Sequence, residues 1–176
     1  MFSNTLGLFI FLGIINSILA SKATFKNENC TFKRDVFSSF NVHILNKNKI
    51  DVDMIIVRTL TVGLKAHMSF EARMSPTKAY QSVLDHDMDY CSLLKDSQNG
   101  IYGRIVVTMT KLGNFSRSCP VRPGYYYMHG WQLNQDSLPS YLYLKEYRVT
   151  GSFYYGKRSK RMENQLAECS MEMTLI

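Results

Sequence analysis

The chain has 176 residues, 45% of them hydrophobic, and a formal net charge of +7. That length fits one domain and is enough to bury a core without help from a metal, which excludes a minimal metal-dependent mini-fold. The basic residues are dispersed except at 157–161, so in a secreted protein they point to acidic membrane or glycan surfaces before nucleic acid, with a plain solvated loop as the alternative.

Residues 6–20 are an uncharged apolar run that ends in small residues, too short for a comfortable membrane span. They read as a signal peptide over residues 1–20, cleaved after Ala20 or Ala23, although its n-region has no Lys or Arg. What remains, 21–176, is expected to be a single secreted, extracellular domain, since no second hydrophobic run of that length follows. All four cysteines (Cys30, Cys91, Cys119, Cys169) fall in it, an even number in an oxidising compartment, which predicts two disulfides. Their spacing excludes a CxxC zinc or redox motif and leaves three pairings open. Two sequons, Asn29-Cys30-Thr31 and Asn114-Phe115-Ser116, mark Asn29 and Asn114 as glycosylation candidates.

Along the chain, 42–45 can start a strand, and 49–60 is apolar on both parities, as in a core strand. The clearest alternation follows: Val62, Leu64, Ala66, Met68, Phe70, Ala72 and Met74 fall on one face of a strand, and Pro76 ends it. Residues 80–94 read as another strand, with Asp85, Asp87 and Asp89 on one face. Residues 99–113 fit either a hairpin turn at Asn99-Gly100 feeding a β-branched strand, or a helix capped by Asn99 with Ile101, Ile105, Met109 and Leu112 in one stripe. Strands are expected over 125–133, 146–155 and 165–175, the last two as an antiparallel hairpin. Six or seven strands with one-sided burial make the fold mainly β, a two-sheet β-sandwich or open cup.

The residues offer little chemistry of catalysis. Asp85, Asp87 and Asp89 lack the glycine and glutamate of a calcium loop, and adjacent acids on one strand cannot flank a substrate from two sides. The four histidines are scattered, and no nucleophile elbow or phosphate loop is present. No enzyme activity, metal or cofactor is therefore expected. The abundant methionines (Met54, Met68, Met74, Met88, Met109, Met128, Met171, Met173) suit ordinary core packing position by position, and as a set they suit a deformable pocket. Trp131 and 125–127 are candidates for its mouth, where an amphipathic ring fits a boundary between apolar and wet regions.

Asp89-x-Cys91 followed by Leu93-Leu94, then Asn114-Phe115-x3-Cys119-Pro120, Gly124-x-Tyr126, Leu138-Pro139 and Tyr147-Arg148 resemble an insect secreted family, DUF1091. That family includes the chemosensory proteins B, which are similar to the GM2-activator and MD-2-like lipid-recognition proteins. The resemblance implies a β-cup whose sheets splay to admit acyl chains, with one short helix around 101–112 in place of the local β propensity. It also implies the pairings Cys91–Cys119 and Cys30–Cys169, worth about 3 and 5 kcal/mol by loop entropy. It carries no catalytic residue. The expected function is a monomeric, non-enzymatic binder of a lipid or other hydrophobic small molecule in pheromone or taste perception. Its protein partner would be a sensory receptor or ion channel at the cell surface, with no role for nucleic acid. Met68, Phe70, Met109, Met128, Phe153 and Met171 are the expected ligand-facing residues, with Trp131 beside them. The alternative is an extracellular protein ligand or surface component with a filled core.

Overall fold

A computed structural model describes residues 23–75, 78–95, 100–133, 138, 146–158 and 164–175, without the side chain of Ile101. The expected leader at 1–20, Pro76, the cap at Asn99 and the basic residues 159–161 lie outside the described residues. Among the described residues, eight strands and two helices follow in the order β1 (Ala23–Phe32), β2 (Phe37–Leu45), β3 (Lys49–Ile56), β4 (Leu64–Arg73), β5 (Gln81–Asp89), α1 (Tyr90–Lys95), α2 (Gly100–Lys111), β6 (Gly124–Trp131), β7 (Glu146–Tyr155) and β8 (Gln165–Leu175). They form two antiparallel sheets, of order β1-β8-β7-β4-β5 and β2-β3-β6. The mainly β, two-sheet sandwich expected from the alternation is the fold observed.

The alternating residues Leu64, Ala66, Phe70 and Ala72 of β4 are buried as expected, with Met68 partly buried between them. Val62 and Met74 lie beyond the strand ends and are exposed, at 77% and 57%. β3 corrects the expectation of a strand buried on both faces. Ile50, Val52 and Ile56 point inward, but Ile55 and Val57 are exposed, because none of the described residues covers the outer side of the three-stranded sheet there. β1 has no clear signature in the sequence; it is an edge strand that buries Ala23 and Phe25 and exposes 26–29 together at an irregularity in its pairing with β8. The hairpin of β7 and β8 is as predicted, from Glu146↔Thr174 to Tyr154↔Gln165.

The strand expected over 80–94 stops at Asp89, and α1 is a second helix that periodicity did not reveal. The Asp89 carboxylate accepts the backbone N–H of Ser92 at 2.7 Å, the geometry of an N-cap. That bond and its neighbours hold the Asp89 carboxyl below its ordinary range. α2 confirms the helix over 101–112 with a rotated stripe: Tyr102, Ile105, Val106 and Met109 face inward, while Leu112 is exposed. Its β-branched residues are accommodated by local bonds. The hydroxyls of Thr108 and Thr110 donate to the carbonyls of Ile105 and Val107, at 2.7 and 3.1 Å.

The two sheets approach each other along β1 and β2. On the opposite side the free edges are β5 and β6, and the helices bridge them: α1 packs on β4 and β5, while α2 packs on α1 and β6. The result is a cup with a helical cover. Cys91 and Cys119 are bonded across the cover, and Cys30–Cys169 joins β1 to β8 at directly opposed positions.

Candidate ligand-binding cavity

Between the splayed sheets and beneath α2 lies a cavity of about 260 Å³. It is larger than the ~150 Å³ engineered cavity that holds benzene and just below the ~300 Å³ typical of drug-sized ligands. Its walls come from the inner faces of both sheets: Phe40, Val42, Ile50 and Val52 on one side, and Met68, Phe70, Val149, Phe153 and Met171 on the other. Among the described residues the lining contains no Asp, Glu, Lys or Arg. His67 borders it only through its strand position, since its ring bonds Asp87 on the outer face. A side chamber of about 30 Å³ extends toward Tyr126 and Val121, sharing Met54, Tyr90, Phe115 and Phe153 with the main space. Burial pushes the Tyr90 phenol up to about 12, so it stays neutral at physiological pH.

Six of the predicted residues, Met68, Phe70, Met109, Trp131, Phe153 and Met171, border this one space. Met128 does not. It is fully buried and pairs with Val52 on β3 and with Gly113 after α2, so it packs the seam between cover and sheet. Trp131 is buried within the wall, and its indole N–H donates to Thr108 Oγ at 3.0 Å. Tyr125 and Tyr127 are likewise not at a mouth. They stack with ring centroids 5.7 Å apart on the exposed side of the three-stranded sheet, beside His129 and Asp53. The Tyr125 hydroxyl donates to Asp53, and that bond holds the carboxyl below its usual range. Sequence reasoning missed Phe40, Val42, Ile50 and Val52 as lining, although their alternation in β2 and β3 was the available signal. It also missed Tyr102 and Val106, which follow once the phase of α2 is known.

The cover is fastened at the C-terminal end of α2. Gly113 lies so close to β6 that a Cβ there would stand 1.8 Å from the carbonyl oxygen of Tyr127, so only glycine fits. Asn114 then pairs with the strand edge. Its backbone N–H donates to Tyr127 O at 3.1 Å, its Oδ1 accepts from Tyr127 N–H at 2.7 Å, and its Nδ2 donates to Tyr125 O at 2.9 Å. In a planar amide the hydrogen beside the oxygen serves such a two-point contact, and an N-linked sugar occupies that same position. A chain glycosylated at Asn114 cannot close the clasp. Asn29, exposed on the edge strand β1, carries no such constraint. Glycopeptide mapping of protein from a secretory host should therefore find Asn29 occupied and Asn114 bare. A glycan on Asn114 of the native protein would mean that the clasp is not formed.

A second polar cluster lies outside the cup. His67 is buried at 4% exposure on the outer side of β4, opposite Ser152, with its Nδ1 2.8 Å from Asp87. Burial raises the Asp87 carboxyl, but bonds from Tyr154 and His67 outweigh it and hold the group low. Tyr154 is pushed up to about 12 by burial and by Asp87. The Arg158 guanidinium lies against the His67 ring. With the imidazole covered in this way, the cluster fastens the end of β7 to β4 and β5.

Among the described residues no helix is long and apolar enough to cross a membrane, and no group of three His, Cys, Asp or Glu side chains forms a metal site. Residues 66–149 match the family described as a protein of unknown function, DUF1091. No curated protein matches the chain.

Proposed function

We propose, for a chain that belongs to the DUF1091 family by its residues 66–149, that it is a secreted, non-enzymatic binding protein for a small hydrophobic ligand held inside the cup. The observation that carries this reading is the apolar cavity of about 260 Å³, whose lining among the described residues lacks any Asp, Glu, Lys or Arg. An unpaired charge in such a space costs several kcal/mol, so the ligand's enclosed part is uncharged. The flexible residues Met54, Met68, Met88, Met109, Met171 and Met173 around it suit a guest of variable shape. The family stretch runs from β4 through both helices and β6 into β7, so it takes in the cover and parts of both walls. A filled-core protein ligand has no use for this space. The resemblance to the chemosensory proteins B supports a finer reading, in which the guest is a chemical cue presented to a receptor or channel at a sensory cell.

Native mass spectrometry of protein secreted by eukaryotic cells tests the proposal. A population should carry one small lipid or hydrophobe, identifiable after solvent extraction. Protein that is entirely unliganded, and that takes up no apolar fluorophore when one is added, would remove the ligand-binding reading.

A further inference from the structure

Basic side chains are distributed unevenly over this fold. Among the described residues of the strands and their loops, five bases form ion pairs, Lys26 with Glu172, Arg58 with Asp35, Arg73 with Glu146, Arg148 with Glu71 and Arg158 with Asp85, while others such as Arg34 and Lys78 do not. The stretch 90–122, which builds the cover, carries Lys95, Arg104, Lys111, Arg117 and Arg122 against the single acid Asp96, and so holds more than half of the chain's net charge. All five bases are exposed, and none forms an ion pair among the described residues. Lys95 lies near enough to the Asp89 carboxylate for each to feel the other's charge.

Their placement follows from helix geometry. At about 100° per residue, Arg104 and Lys111 share one face of α2, directly opposite the stripe of Tyr102, Ile105, Val106 and Met109 that faces the cavity. Leu112, at 43% exposure, follows at the end of that helix. One element thus presents an apolar face to the guest and a cationic face to the outside, over the side on which the sheets are not joined.

We propose that the helical cover is a docking face for anionic lipid bilayers, so that the cup meets a membrane cover-first. This deepens the ligand-binding reading and rests on it for its purpose: an apolar guest resides in bilayers, and docking brings the cover to its source. The choice of a bilayer over an acidic protein follows from charge complementarity without any built geometry. The five bases come from two helices and the loop that follows them, have no ion-pair partners among the described residues, and fit a diffuse layer of headgroups.

The test uses the full secreted protein and vesicles of phosphatidylcholine with or without phosphatidylserine. The protein should sediment with the phosphatidylserine vesicles only, and added salt should release it. Each basic residue near such a surface is worth about fivefold in partitioning, so Arg104→Gln with Lys111→Gln should weaken binding about 30-fold. A control pair outside the cover, Arg34→Gln with Lys78→Gln, should leave it nearly unchanged. Equal losses from the two pairs would show a response to net charge alone and overturn the proposal. So would an absence of vesicle binding, including the case where the cover instead captures an acidic protein. Uptake of an apolar fluorophore in solution, measured on the same variants, reports the cavity separately. Retained uptake with lost docking is the expected result for the cover pair, whereas docking without uptake by any variant would sink the ligand-binding reading alone.

Discussion

Gly151→Leu should yield a protein that folds at least as stably as the parent and binds an apolar fluorophore about 100-fold more weakly, a loss of about 3 kcal/mol in binding. Gly151 lies on β7 between Met68 and Cys169, borders the cavity, and has nothing within 4 Å of the position its Cβ would take. A side chain added there grows into the space that the guest needs. The backbone accepts it, since Gly151 is not among the positive-φ glycines and glycine within a strand costs about 0.5–1 kcal/mol relative to alanine. Burying the leucine side chain adds about 1.5–3 kcal/mol where the fit is good. Thermal unfolding and fluorophore titration on the same sample check both halves. Unchanged binding in a folded protein would place the guest elsewhere. A charge at Phe70 is a harsher probe of the same wall. Phe70 is 3% exposed, and an unpaired charge at so buried a position threatens folding as well as binding.

Loss of Cys30–Cys169 should cost more stability than loss of Cys91–Cys119. The first closes a sequence separation of 139 residues and the second one of 28. Chain entropy assigns them about 5 and about 3 kcal/mol as upper figures, against a total of about 5–15 for a typical domain. Cys30 and Cys169 sit on strands already held by their ladder, so paired alanine substitutions there should lower the denaturant midpoint with little local change. Cys91 anchors α1, which packs otherwise on β4, β5 and α2. Replacing it with Cys119 should speed hydrogen exchange in α1 and α2 ahead of the sheets. Stability unchanged within about 1 kcal/mol after removing Cys30–Cys169 would contradict the entropic account.

Much of the cup was legible from the chain because its inner faces obey a period of two. β4, β7 and β8 fall where alternation places them, and Met68, Phe70, Phe153 and Met171 reach the cavity for that reason. What was not legible depends on tertiary context. The run 105–108 favours a strand locally and forms a helix because Ile105 is buried and Thr108 bonds both its own turn and Trp131. Met128 alternates like a lining residue, but the approach of Gly113 seals it off. Tyr125 and Tyr127 could not be assigned to a side until the pairing of β6 with β3 fixed which face of that strand looks outward. The asymmetry of basic residues was present in the sequence throughout. Its meaning waited on knowing that 90–122 is the cover.

The bond between Cys30 and Cys169 also fixes the molecule's covalent topology. Everything from β2 to β7 lies inside one macrocycle, and Cys91–Cys119 closes a smaller ring nested within it. Hydrolysis of a single peptide bond inside the larger ring, including one at the basic residues 158–161, opens the ring without dividing the molecule. The cut protein gains a water and no freedom to part, and β8 keeps its hydrogen-bonded neighbours on both sides. A protein built this way can be nicked in a protease-rich fluid and still circulate as one object, coming apart only where disulfides are reduced.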